Sequence, residues 1–189
     1  MPKIVDRAER RAAIATAAAE AIADEGVEAV TMKGIAARAN VTTGAVTHYF
    51  ASKDEVVLEA LLLVDASMQR RFTNALDGQG SLVDALLAAL PHDDESRRDW
   101  NVWRVFSDRA SRSDELLAQY RASTGAWLDA AVDALAAKSG SSRKALRLDA
   151  EIVVSTVDAI GDEASVDPPS WPVKRQRELL ERALEVFGS

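Results

Sequence analysis

The sequence predicts an all-α fold, and three observations carry that prediction. No stretch sustains the period-two alternation of a half-buried strand, and no valine-rich run is bounded by turn residues. Apolar residues recur instead at three- and four-residue intervals, the period of one helix face. Serines and threonines precede these stripes, and glycines or prolines follow them, in the manner of helix caps and stops.

The elements follow in order. Ile14, Ala18 and Ile22 share one stripe of a first helix, and Gly26 is placed to end it in the left-handed conformation. Thr31 can cap "TMKGIAARA", with Val30 before the cap and Ile35 five residues on, the spacing of a hydrophobic staple. Thr42 can cap "TGAVTHYF", with Val41 and Val46 at the same spacing. Ser52 can cap "KDEVVLEALLLV", and Ser52-x-x-Glu55 has the form of a capping box. The turn between the first two short helices falls at "ANV". Helices this short are marginal alone. They must pack on each other and on the first helix through Ile35, Ala36, Ala39, Val41 and Val46.

Longer helices are expected beyond. One runs over 52–75 and ends before "DGQG", and a shorter one covers "SLVDALLAAL" and stops at Pro91. Others cover 93–110, 113–139 with Gly140 as terminator, and 148–164. "VDPPSWP" reads as a rigid loop, and a last helix over 173–187 is capped by Gly188.

Length and composition bound the rest. At 189 residues and 48% hydrophobic, the chain can bury a sizeable core in one large domain or two small ones. The absence of cysteine excludes disulfides and cysteine-held zinc. The alanine-rich head imitates a secretion signal, but Asp6 and Glu9 stand in its would-be basic region, and Glu20 and Asp24 follow. No run is long and apolar enough to span a bilayer, so a cytoplasmic location is expected, without membrane partners. The net charge of −7 is uneven. Residues 1–53 hold seven basic and six acidic side chains, a balance of +1, and the remainder carries −8. A nearly neutral module can meet a polyanion if its few cations are well placed.

A short helix, a tight turn and a second short helix form a helix-turn-helix, whose second helix enters the major groove by its N-terminal end. That end needs short side chains, so that the backbone can approach base edges, and Thr42, Thr43 and Gly44 supply them. Thr47 and His48 fall on the groove-facing side, and the Tyr49 hydroxyl can reach a phosphate. Lys53 sits in the first turn of the next helix, where a cation opposes the helix dipole. A phosphate partner explains its presence there. Phe50 is expected in the core, and simple capping competes with base contact for Thr42.

Residues 26–60, "GVEAVTMKGIAARANVTTGAVTHYFASKDEVVLEA", resemble the DNA-binding domain of tetracycline-repressor (TetR) family regulators. The resemblance rests on Thr31, Ile35-Ala36, Val41-Thr42-x-Gly44, His48-Tyr49-Phe50 and Ser52-Lys53. It implies that Thr31, Tyr49 and Lys53 hold phosphates, that Thr42, Thr43, Thr47 and His48 face the groove, and that Lys33 adds a backbone contact. The chain departs from the pattern at Asn40, where glycine is usual, and at Thr47, where an aromatic is common. Asparagine tolerates the left-handed conformation, so the turn should survive. Thr47 is left free to touch a base or its methyl group.

The resemblance also implies two units: residues 1–52 as the helix-turn-helix DNA-binding domain, and 53–189 as a helical ligand-binding and dimerisation domain. Met68, Phe72, Trp100, Trp103, Ser107, Tyr120, Thr124 and Trp127 could line an apolar cavity with a few polar handles. Plain core packing is the competing reading for each. "WxxW" followed by "ELLAQYR" resembles the choline-responsive branch of the family, and names no ligand by itself. Ile152, Val153, Thr156, Val157 and Ile160, then Leu179, Leu180, Ala183, Leu184 and Phe187, suit a two-fold four-helix interface of a homodimer. Intrachain core is the alternative for half of them.

The function expected is a ligand-responsive DNA-binding regulator, a repressor by default, which binds a near-palindromic double-stranded operator as a dimer and is released by a small effector. The rival is a helical small-molecule-binding or adaptor protein with no DNA role. Neither an enzyme nor a bound cofactor is expected, since no G-x-S-x-G, phosphate-binding loop or dinucleotide fingerprint occurs. His92 heads "HDDE", but acids beside a helix start are better read as capping than as metal ligands. Asp158, Asp162 and Glu163 could meet a cationic ligand, with a solvated face as the preferred reading.

Overall fold

Nine α-helices and one short 3-10 turn are joined by brief connections in a computed structural model that describes residues 7–187, with side chains through Glu185. Helix α1 (Arg7–Glu25) buries Ile14, Ala18 and Ile22 and ends at Gly26, whose φ of 78° is left-handed as expected. Helix α2 (Met32–Arg38) is capped by Thr31, whose hydroxyl oxygen accepts from the Gly34 amide at 3.0 Å. Helix α3 (Thr43–Tyr49) is capped by Thr42, which accepts from the Ala45 amide at 3.1 Å. Asn40 turns the chain between them at a φ of 53°. Val30, Ile35 and Val46 are buried, so both staples close on apolar contact.

Helix α4 (Lys53–Asp77) is the spine of the molecule and packs on both α1 and α5 (Leu82–Ala89). It runs two residues past its expected end, because the sharp turn comes at Gln79, φ 65°, and not at "DGQG" as a whole. Ser52 caps it through the Glu55 amide at 3.1 Å. The return half of the capping box is displaced by one residue. The Glu55 carboxylate accepts from the Ala51 amide at 2.7 Å and, on its other oxygen, from Arg11.

Helices α6 (Asp94–Ala110) and α7 (Asp114–Ser139) match expectation, and Gly140 ends α7 at φ 70°. Helix α8 (Arg143–Val166) begins five residues earlier than the sequence suggested, capped by Ser142. "VDPPSWP" holds the 3-10 turn Pro168–Ser170 before α9 (Val173–Phe187). The buried Gln176 amide donates to the Pro91 and Trp171 carbonyls at 2.8 and 2.9 Å, which fixes α9 to the α5–α6 loop. Gly188, expected as the last cap, lies outside the described residues. No described helix is long and apolar enough to cross a membrane.

Arg11 ties the helix-turn-helix to the spine. Its guanidinium donates to the Tyr49 carbonyl at 2.6 Å and to Glu59 at 2.8 Å, pairs with Glu55, and lies 4.2 Å from the Phe50 ring centroid. Arg38 is likewise engaged, with Asp24 and Glu25. Two of the cations counted for the N-terminal module are therefore bound to acids of the same chain.

Candidate nucleic-acid interface and apolar cavity

The short α3 has two unlike faces. Val46 is fully buried and Phe50, just past its end, is 1% exposed. Thr42, Thr43, Gly44, Thr47 and His48 are all exposed. The division follows from the staple, which sets the apolar side against α2, and from the Arg11–Phe50 contact, which ties its end to α1. The Thr47 hydroxyl donates to the Gly44 carbonyl at 3.1 Å, so its rotamer is set from within the helix. His48 and Tyr49 meet edge to face at 5.1 Å, and Tyr49 is half-buried. Thr31 and Lys33 are exposed at the start of α2. Lys53 is partly covered, with Nζ 3.4 Å from the Glu28 carbonyl. Thr31, Thr42 and Ser52 spend one oxygen lone pair on a cap and keep their hydroxyl protons.

A second feature lies among α4, α6, α7 and α8. An apolar cavity of about 30 Å³ is bounded by Met68, Phe72, Trp100, Trp103, Thr124 and Trp127, six of the eight residues expected there. Tyr120 stands behind this wall, stacked on Trp103 at 5.6 Å and edge-on to Phe106. Ser107 is exposed and does not line the cavity. Helical spacing from Trp103 put it on the stripe, but α6 turns that position outward.

The walls are held to different degrees. Trp100 donates its Nε1 proton to the Ala89 carbonyl at 2.7 Å, and its ring lies so close to Gly161 of α8 that a Cβ there would sit 2.3 Å from it. Trp103 is packed between Phe106 and Tyr120. Trp127 is only partly buried, meets Phe72 edge to face at 5.6 Å, and donates Nε1 to Asp65 at 3.0 Å.

Asp158 corrects the sequence reading. Of the two readings for it, a partner for a cationic ligand or the preferred solvated face, the second does not hold: it lines the cavity, where burial and the neighbouring Asp162 carboxylate push its own carboxyl up to about 6. Burial, with Asp158 and Asp162 nearby, also raises the Tyr120 phenol. Asp162 and Glu163 are exposed, and Asp162 pairs with Arg104 at 3.6 Å. No lysine, arginine or histidine lines the cavity among the described residues. Asp65, 7% exposed on α4, escaped the sequence reading altogether. A lone aspartate in "LLLVDASM" gives no sign of its indole partner 62 residues away. "HDDE" is a helix start, since Asp93 caps α6 by accepting from the Ser96 amide at 2.8 Å.

The residues expected at a dimer interface divide. Val153, Val157, Leu180 and Leu184 are buried in the chain's own core and are not open to a partner. Ile160 is 3% exposed but borders an open groove between α8 and α9. Ile152, Thr156, Leu179 and Ala183 also line that groove, with Leu148 and Ala159, which the expectation omitted. Leu148 is 66% exposed and Ile152 41%. The Phe187 side chain lies outside the described residues.

A helix-turn-helix with a small-residue recognition end, joined by one spine helix to a bundle with an internal aromatic cavity, defines a transcription regulator of the one-chain, two-part class. The chain belongs to the TetR family of bacterial regulatory proteins: residues 14–60 match the model of that family, and residues 79–188 match the C-terminal part of BetI-type transcriptional repressors. It is 30% identical over 120 residues to the HTH-type transcriptional regulator PksA of Bacillus subtilis (strain 168), a stretch covering 61% of this chain and 58% of PksA. A transcriptional regulator from Rhodococcus sp. Rha1 superposes with a TM-score of 0.80 at 26% identity, over 93% of this chain and 94% of that one. A Saccharomonospora viridis regulator solved in complex with choline shares the fold, with a TM-score of 0.79 at 20% identity, over 94% of this chain and 96% of that one.

Proposed function

We propose that the chain is a ligand-responsive repressor that binds a near-palindromic operator as a homodimer and is released by a small effector in the cavity. The observation that carries this reading is the two-faced α3, with its small polar end wholly exposed and its apolar side locked down. In this reading residues 1–52 serve DNA, and residues 53–189 serve ligand and dimerisation. Thr31, Lys33, Tyr49 and Lys53 meet phosphates, while Thr42, Thr43, Gly44, Thr47 and His48 approach base edges. Occupancy of a promoter blocks polymerase, and the protein acts in the cytoplasm.

The effector class is a small cation. Aromatic rings attract cations over their faces, and the only ionisable group among the cavity's described lining residues is the Asp158 carboxyl. A neighbour of the same fold that binds choline supports this class. Purified protein offered random duplexes at low salt should enrich one shared near-palindrome, and the selected DNA should be released by a quaternary ammonium compound. Enrichment of no common sequence would leave the rival reading, a small-molecule-binding protein without a DNA role.

A further inference from the structure

The cavity as it stands has room for roughly two waters. Any organic effector must therefore displace a wall, and the walls are not equally free to move. Trp100 is fixed at both ends, by the Ala89 carbonyl and by the gap that Gly161 leaves for its ring. Trp103 is packed between two further aromatic rings. Trp127 alone of the three indoles is only partly buried, and its nitrogen is held by one carboxylate, Asp65.

That bond joins two helices that meet at few other points. Trp127 stands on α7 and Asp65 on α4, and the Phe72–Trp127 edge contact is a second link between them. Asp65 is nearly enclosed, and both of its oxygens accept from neutral donors: Oδ1 from Trp127 and Oδ2 from Gln69, each at 3.0 Å. A buried carboxylate that loses a donor is costly. If Trp127 turns to admit an effector, Asp65 must follow it or find a new partner, and any shift beyond the reach of its own rotamers moves α4. The same helix starts at Lys53, on the DNA-facing side, and is held to α1 by Arg11.

We propose that Asp65 is a positioning residue that ties cavity occupancy to the DNA-facing half, by anchoring the movable cavity wall, Trp127, to the spine helix. This rests on the operator-binding reading above. A bond that differs between two states is what lets a ligand shift their populations. In the ligand-free protein it holds α4 in the arrangement that binds DNA, so breaking it should mimic the effector.

The test compares wild type, Asp65→Leu, Trp127→Phe and the double variant, all without ligand. Asp65→Leu keeps a side chain of similar bulk but removes both acceptor oxygens, and Trp127→Phe keeps a ring but removes the donor. Each single variant should lower affinity for the selected operator about tenfold, and the double variant should be no worse than either, since both remove one link. Hydrogen exchange of the α4 amides between Lys53 and Asp65 should quicken in all three. Thermal unfolding separates a folding defect from this effect, because a merely structural pair lowers stability without slowing or quickening exchange selectively at that end. Unchanged operator affinity with unchanged exchange, or single effects that multiply in the double variant, would overturn the proposal. Wild type that binds no duplex would sink the DNA-binding reading instead, and the exchange comparison would still decide whether the link reaches the Lys53 end.

Discussion

Asn40 and Asp158 mark the two ends of what a residue reveals by itself. The left-handed turn at Asn40 was legible, because a single side chain's tolerance of positive φ is a local property. So were the threonine and serine caps, whose partners lie three residues away. Asp158 was not legible, because its burial is made by α6 and α7 folding over it. Its carboxyl titrates at about 6 in the folded chain, against an ordinary value of 3.8. The folded state thus holds a proton that the unfolded state gives up. The stability this contributes is full below the ordinary value and is lost as pH rises through about 6. Wild type should therefore lose on the order of 2 kcal/mol between pH 4 and pH 7 relative to Asp158→Asn, allowing for partial solvent access. Chemical denaturation of both proteins across that range checks it. Parallel pH profiles would mean that the wall carboxyl is ordinary.

At the scale of elements, periodicity located every long helix but misplaced some ends, the start of α8 and the end of α4 among them. The start of α8 was missed because Ser142 is one of several small residues in "SGSSRKA", and the charged first turn hides the stripe that Leu146 and Ala150 begin. The end of α4 was placed early because Gly78 signals a stop before the chain turns at Gln79. Neither misreading touches the recognition helix, whose boundaries are set by caps on both sides. What sequence could not show is how α1, α3 and α4 are held in register. Arg11 does so by binding the last carbonyl of α3 and two carboxylates of α4 at once. Replacing it by methionine keeps the aliphatic stem over Phe50 and removes all three polar links. The Arg11→Met variant should lose about 1–3 kcal/mol in urea unfolding and bind operator more weakly, with an unchanged dimer. Full operator affinity in that variant would mean that the staples alone fix the angle of α3.

For the whole molecule, the proposed homodimer turns on how two copies present two recognition helices. Three exposed apolar residues of α8 and α9, Leu148, Ile152 and Leu179, line one open groove, while Val153, Val157, Leu180 and Leu184 are committed to the chain's own core. In the proposed dimer the two recognition helices must lie one helical turn of DNA apart, ~34 Å, which is why each operator half should mirror the other. Two substitutions then fail differently. Ile152→Glu puts a charge into the groove and should give a monomer by sedimentation, with operator affinity down by about 100-fold or more because one half-site is lost. Lys53→Ala should leave the dimer intact and weaken all duplexes alike. Each lost phosphate contact removes about 0.9 from the slope of log affinity against log salt, so two protomers should remove about 1.8. A dimeric Ile152→Glu protein would place the interface elsewhere. An unchanged salt slope for Lys53→Ala would leave that lysine with only the Glu28 carbonyl, 3.4 Å away, as its partner.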